Sequence, residues 1–305
     1  MINGPKRYSC KIPILVLLVA MLACKSEKPK DESIKVTEDE LMADTAATKS
    51  LQSVKQIFYS LPSPLETALI LKRSGAVYDE EILNPVENIS HYNTSKAMAL
   101  NLGIYSTDLS YASLFDQTQA TVKLMTASKK MAEGLGILNA IDNSVIQRLE
   151  ENVNNRDVIM ETISETLLNT NSILEEDERV ALGSIILVGG WVEGLYIATS
   201  LVDDLNKVDN ELVDRIADQK LSLGTVLNLL NQNIDNKDVK EVYDDMVDLK
   251  SIYDQVQISA SEVDVIPDKQ SKVTTLRSKN VITVNPEVFK KLKTKVRELR
   301  NKYTA

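Results

Sequence analysis

The chain contains few of the residues from which most metal sites and nucleophilic sites are built. Its 305 residues include one histidine, His91, and two cysteines, Cys10 and Cys24. One imidazole cannot supply the two or three that zinc and di-iron sites need, so no metal site is predicted. There is also no G-x-S-x-G turn, P-loop, G-x-G-x-x-G turn or EF-hand loop, and we therefore predict no catalytic residue and no cofactor.

Basic charge is scarce, because 35 lysines and arginines face 44 acidic residues and the formal net charge is −9. Nucleic-acid binding needs a basic face for phosphate contacts, so the composition argues against a nucleic-acid partner. Hydrophobic residues make up 43% of the chain. A chain of this length and composition can bury a core, and it is not expected to be disordered.

The first 24 residues have the pattern of an export signal. Three basic residues, Lys6, Arg7 and Lys11, precede an apolar run over residues 12–23 that is too short to span a bilayer of about 30 Å. The run ends in Met21-Leu22-Ala23-Cys24, which resembles the lipobox of bacterial lipoproteins, where a small residue precedes the cysteine that becomes the diacylated N-terminus. The alternative is a buried structural cysteine behind an ordinary signal peptide.

The lipobox resemblance implies that residues 1–23 are a signal peptide and that Cys24 carries fatty-acyl chains such as palmitate. The membrane would then be a partner through this lipid, and several acyl chains hold a protein far more firmly than one. Residues 24–45 are charged and predicted to form a flexible tether. The implied location is the bacterial cell envelope, with the outer membrane favoured, and the sequence leaves open whether the body faces the periplasm or the cell surface.

Helix signals dominate the rest of the chain, which has no proline from Val86 to Ile266. A capping box at residues 63–66 predicts one helix, and Asn84-Pro85 predicts the start of another. Apolar residues at helical spacing predict one long helix from Ala97 through Met125 to Gly134, and further helices over residues 142–152, 156–174, 177–205, 210–232 and 237–257. Short polar breaks between them predict an all-α, up-and-down bundle over residues 46–260.

The body resembles uncharacterised all-helical lipoproteins of Bacteroidota. The resemblance is clearest in YSTDLSYASLFDQTQ, residues 105–119, and in GGWVEGLYIA, residues 189–198. It implies an all-helical fold, but it brings no activity and no functional residue.

The apolar segment over residues 181–202 could be taken for a membrane span, but Glu193 lies in its interior. The central helix of a bundle is also apolar all round, and this is the interpretation we favour. Small residues form a stripe along it: Gly183, Gly190, Gly194 and Ala198. The stripe predicts a close neighbouring helix from the same chain, and the alternative is a dimer contact.

The C-terminal region differs from the bundle. Residues 261–285 are predicted to be an extended segment with short strands at 273–276 and 281–284, and residues 286–305 a terminal helix with seven basic and two acidic side chains. The helix carries an apolar seam of Phe289, Leu292, Val296, Leu299 and Tyr303. The seam predicts docking on an acidic helix around residues 237–257. The alternative is an exposed arm for anionic lipid or a partner.

Asp108 and Glu193 lie where helical spacing calls for apolar side chains. An unpaired buried carboxylate is costly, so each must be protonated, paired or hydrogen-bonded. One hypothesis is a structural network with hydroxyl donors from Tyr105, Tyr111 or Tyr196. The other is a polar ligand site inside the bundle, formed by Asp108, Tyr111, Glu193 and Tyr196 with Trp191 on its wall.

Two classes of function follow from these observations. The favoured one is a lipid-anchored envelope protein that acts as a non-enzymatic helical binding or scaffolding module, with a partner among the envelope proteins. The alternative is a carboxylate-dependent enzyme or a small-ligand-binding protein. A dry core favours the first class, whereas a concave polar pocket around two carboxylates with raised pKa values favours the second. The sequence leaves the oligomeric state open.

Overall fold

A computed structural model describes residues 77–138, 143–159, 161–163, 165–166, 180–202, 210–260, 264–268, 273–277 and 280–305. Helices dominate these residues, and the predicted all-α class is confirmed. The predicted signal peptide, Cys24, the predicted tether and the helix expected to start at the capping box of residues 63–66 lie outside the described residues, as does the end of the helix expected over 156–174.

The helices begin with two short 3₁₀ turns, Glu80–Ile82 and Val86–His91. The α-helices of the described residues are α1 (Ser95–Leu114), α2 (Thr118–Gly134), α3 (Asn143–Glu151), α4 (Val180–Ser200), α5 (Asn210–Asn231), α6 (Lys237–Tyr253) and α7 (Pro286–Tyr303). Residues 156–159, 161–163 and 165–166 are also helical. The consecutive pairs α1–α2 and α5–α6 pack on each other, as in the predicted bundle, and α4 packs against α1, α5, α6 and α7.

The prediction of one long helix from Ala97 to Gly134 is wrong, because the chain turns between α1 and α2. Asp116 has a φ of 57°, in the left-handed region. Its N–H donates to Ser113 O at 3.1 Å, and the N–H of Gln117 donates to Ala112 O at 3.0 Å. This pair of hydrogen bonds is the Schellman motif, which satisfies the last carbonyl groups of a helix and ends it. Aspartate tolerates the left-handed conformation better than most residues, so no glycine marks the break.

Helices α1 and α4 meet backbone to backbone. A Cβ atom at Gly103 would overlap Ile186 O and lie 2.5 Å from Gly190 N, and one at Gly189 would overlap Leu100 O. At Gly190 the nearest group is Thr107, whose Oγ1 donates to Gly190 O at 3.1 Å. Gly190 and Gly194 of the small-residue stripe therefore face a helix of the same chain, as predicted, while the closest backbone contact made by a glycine of α4 is at Gly189, which the predicted stripe did not include.

Helix α4 is the one helix among the described residues that is long and apolar enough to cross a membrane, with a mean hydropathy of 1.7. Most of its apolar stretch is buried against the other helices. This burial agrees with its interpretation as the central helix of a bundle.

Four short strands lie between α6 and α7: β1 (Gln257–Ala260), β2 (Asp264–Asp268), β3 (Val273–Arg277) and β4 (Asn280–Thr283). β1 pairs antiparallel with β4, with Gln257 opposite Thr283, and β2 pairs antiparallel with β3. The prediction that α6 reaches Gln257 is wrong. The helix ends at Tyr253, where Asp254 caps it by donating its N–H to Lys250 O at 2.8 Å, and Gln257 already belongs to a strand.

Helix α7 packs against α6 and α4 through its buried apolar seam. Asn285 caps its start by accepting the N–H of Glu287 at 2.8 Å, and Pro286 occupies its first position. Two ion pairs link it to α6: Lys295 with Asp248 at 2.9 Å, and Lys302 with Asp245 at 2.7 Å. Helix α7 thus docks on the acidic helix around residues 237–257, as the seam predicts.

Candidate functional site

The two acidic residues at apolar positions meet in the core. Asp108 lies on α1 and Glu193 on α4, both side chains are 0% exposed, and the two carboxyl groups are close enough for each to affect the pKa of the other. Their helices can approach this closely because Gly103 and Gly189 have no side chains at the contact. We call Asp108 and Glu193 the acid pair.

A third helix supplies the positive charge that faces the acid pair. Arg300 of α7 is 8% exposed, and its Nε donates to Glu193 Oε2 at 3.3 Å. Its Nη2 donates to Ile82 O at 3.3 Å, and its guanidinium lies 4.9 Å from the centre of the Tyr196 ring. The carboxylate, the carbonyl and the aromatic face together fix the guanidinium in place.

The segment before α1 closes the other side of the acid pair. The backbone N–H of Asn84 donates to Asp108 Oδ2 at 3.0 Å. The side chain of Asn84 donates to Asn101 Oδ1 at 3.0 Å, and Asn101 in turn donates to Tyr303 O at 2.9 Å. A continuous chain of buried hydrogen bonds therefore joins this segment, α1 and the last turn of α7.

Burial dominates the electrostatics of the acid pair. Burial and the neighbouring Glu193 raise the pKa of Asp108 well above its ordinary value, and the Asn84 hydrogen bond only partly opposes this. Burial also raises the pKa of Glu193, against the lowering effect of Arg300. Glu193 and Asp108 raise the pKa of Arg300 in spite of its burial, so the guanidinium stays charged.

The tyrosine donors expected from the sequence bind elsewhere, so that hypothesis is corrected. Tyr105 donates its hydroxyl hydrogen to Pro85 O at 2.9 Å. Tyr111 accepts the N–H of Asp79 at 3.2 Å and stacks on Tyr78 at 5.4 Å between ring centres. Each hydroxyl satisfies a backbone group that burial would otherwise leave unpaired, and the acid pair takes its donors from Asn84 and Arg300 instead.

The remaining candidates divide between the acid pair and its surroundings. Tyr196 reaches the site through its ring, which lies under Arg300. Trp191 is buried, and its Nε1 donates to Gln219 Oε1 on α5 at 3.1 Å, so it packs in the core between α4 and α5. His91 is exposed at the end of a 3₁₀ turn.

Arg300 and Asn84 complete the site and were not predicted. Arg300 follows Val296 of the seam by four residues and Leu299 by one, which places it at the edge of the buried face of α7. This spacing was the sequence signal that could have predicted the burial of Arg300. Asn84 acts on Asp108 through its backbone N–H, so its side-chain type gave no signal.

The arrangement is a buried network of two carboxyl groups and one guanidinium, and it is closed to solvent. Both carboxyl groups are shielded from solvent, and each has a protein donor. Within the described ranges, no group of three or more histidine, cysteine or acidic side chains could hold a metal ion. A buried network of this kind fixes how helices pack, provided that its members are satisfied.

The chain matches no known family model, and neither a curated protein nor a solved structure matches it.

Proposed function

We propose that the protein is a lipoprotein of the bacterial cell envelope, anchored through acyl chains on Cys24, whose helical body is a non-enzymatic binding or scaffolding module. The attachment is supported by the basic start, the apolar run and the Met21-Leu22-Ala23-Cys24 ending of the first 24 residues. The favoured membrane is the outer membrane.

The observation that carries the non-enzymatic role is the closure of the acid pair. Acid–base enzymes hold carboxyl groups with raised pKa values where a substrate can reach them. Asp108 and Glu193 have raised pKa values, but they are 0% exposed and accept hydrogen bonds from Asn84 and Arg300, respectively. We therefore assign them to the internal structure of the bundle and place partner binding on its outer surface.

The anchor is tested by metabolic labelling with a fatty acid, using the two cysteines as a matched pair. The Cys10→Ala protein should be labelled and should fractionate with membranes like the wild type, because Cys10 lies inside the proposed signal peptide. The Cys24→Ala protein should lack the label and accumulate as a precursor. Full labelling of Cys24→Ala would contradict the proposal.

The binding role is tested by chemical cross-linking in intact cells at neutral pH, comparing the wild type with Asp108→Asn. We expect the same cross-linked species from both proteins, because a partner on the outer surface does not touch Asp108. A folded Asp108→Asn protein that loses its cross-linked species would show that the acid pair takes part in function directly.

A further inference from the structure

One oxygen atom of each carboxyl group in the acid pair has no hydrogen-bond donor. Asp108 Oδ2 accepts the N–H of Asn84, and Glu193 Oε2 accepts from Arg300. Among the described residues, Asp108 Oδ1 and Glu193 Oε1 are buried without a donor. Two carboxylates can only accept, so adjacent carboxyl groups form a hydrogen bond only when one of them carries a proton.

The charges lead to the same conclusion. Two ionised carboxylates beside Arg300 would leave one uncompensated negative charge in a site closed to water. Such a charge is expensive to bury, and a single proton on the acid pair removes it.

We propose that Asp108 and Glu193 hold one proton between them, and that this proton controls how firmly the C-terminal helix α7 is held on the bundle through Arg300. The proton belongs on Asp108. Arg300 faces Glu193 and stabilises its charged form, whereas Asp108 accepts only a neutral backbone N–H. The direction of the Asp108 pKa, well above its ordinary value, agrees with this placement.

Among the described residues, Arg300 is the cation that contacts the acid pair. On α1, burial raises the pKa of Tyr105, and before α1 burial raises the pKa of Tyr78 to about 12, so both stay neutral. On α4, Tyr196 presents its ring to Arg300. On α6, which packs against both α4 and α7, Asp245 is already bound to Lys302 and Tyr303.

Loss of the proton should weaken the attachment of α7. Once Asp108 is ionised, the acid pair carries two negative charges in a buried site, and Arg300 balances one of them. Departure of α7 would expose Asp108 to water, where its ionised form is favoured, so loss of the proton shifts the equilibrium toward release of α7. Because the folded-state pKa is raised, the stabilisation is fully present below the unfolded-state pKa of about 3.9 and is lost as the pH rises through the folded-state pKa.

The test uses Asp108→Asn, which imitates the protonated aspartic acid. Its amide oxygen can accept from Asn84, and its N–H can donate to Glu193. We would measure urea unfolding of the purified wild-type and variant proteins from pH 5 to pH 9. The ratio of their unfolding constants, wild type over variant, should rise about tenfold per pH unit and become constant above the folded-state pKa.

The matched variant is Glu193→Gln, which removes the counterion of Arg300 with little change in shape. It should be less stable than Asp108→Asn at pH 7. An unfolding ratio for Asp108→Asn that does not change with pH would overturn the proposal, as would equal stability of the two variants.

A measurement on the wild type covers the case in which Asp108→Asn does not fold. The infrared spectrum at pH 7 should contain the C=O stretch of a protonated, buried carboxyl group, and the absence of this band would overturn the proposal. Replacing Na⁺ with K⁺ or choline at fixed pH should leave the unfolding constant unchanged. A dependence on the cation would mean that a metal ion, and not a proton, lies between the carboxyl groups.

The link to α7 is tested by hydrogen exchange in the wild type and Asp108→Asn at the same pH. Above the folded-state pKa, residues 286–303 should exchange faster in the wild type, while α2 should exchange equally in both. Equal acceleration in every helix would overturn the specific link to α7.

Discussion

The contact between α1 and α4 and the contact between α6 and α7 hold the bundle together in different ways. The first joins two backbones directly at Gly103 and Gly189, with no side chain between them. The second joins a seam of apolar side chains, with Lys295–Asp248 and Lys302–Asp245 at its edges. Side chains can change rotamer and absorb a substitution, whereas a helix backbone moves only as a whole. The two contacts should therefore differ sharply in their tolerance of substitutions.

The largest effect is expected for Gly189→Ala. The new Cβ would overlap the carbonyl group of Leu100, so α1 and α4 would have to separate. Overpacking of side chains typically costs about 1–3 kcal/mol, and moving a backbone should cost more, enough to threaten a total stability of about 5–15 kcal/mol. We expect no cooperative unfolding transition by circular dichroism.

The control for this prediction is Gly194→Ala on the same helix, where the nearest neighbour of a Cβ would be Thr107 Cγ2 at 4.0 Å. Alanine there should be neutral or stabilise the protein by up to about 1 kcal/mol. Equal behaviour of the two variants would show that the backbone contact is not as tight as described.

A smaller effect is expected for Leu292→Ala in the α6–α7 contact. Leu292 is 1% exposed, and truncation of a buried leucine costs about 2–5 kcal/mol, while the rest of the seam can relax around it. The protein should fold with a lower urea midpoint. Arg297→Ala, at an exposed position of α7, should change the stability by less than about 0.5 kcal/mol. A similar loss for both would mean that the seam does not carry the contact.

The smallest effect is expected for Lys295→Ala at the edge of the same contact. The Asp248 side chain is 67% exposed, and surface ion pairs contribute less than about 1 kcal/mol. A double-mutant cycle with Asp248→Ala should give a coupling energy that disappears at high salt. A coupling that persists in high salt would show that this pair belongs to the core of the contact.

The fold was predictable where signals along the chain agree with one another. Asn285 and Pro286 mark the start of α7 and its seam marks the buried face, so both the start and the buried face were predicted correctly. The break between α1 and α2 was missed because the apolar spacing continues through the turn and the left-handed residue is Asp116. A turn without glycine or proline has no strong signature in sequence.

The site was predictable only in part for a similar reason. The burial of Asp108 and Glu193 could be predicted, because both occupy positions where helical spacing calls for apolar residues. Arg300 lies 107 residues from Glu193, on a helix rich in basic residues whose charges are expected in solvent. Helix packing decides which charged residues of two helices form an ion pair. The residue spacing within a single helix does not contain that information.

The strand pairing between α6 and α7 has a consequence for how fast α7 can rebind. Because Gln257 lies opposite Thr283, the paired strands bring the end of α6 next to the start of α7. The pairing shortens the effective loop between the two helices roughly fivefold. The entropic free-energy cost of closing this loop is thereby lower by about 1–2 kcal/mol. If α7 leaves α4 and α6, the strand pair keeps it beside them at a high effective concentration. Opening of the Arg300 contact would be a local and quickly reversible event, since the paired strands would hold α7 close to the helices that it left.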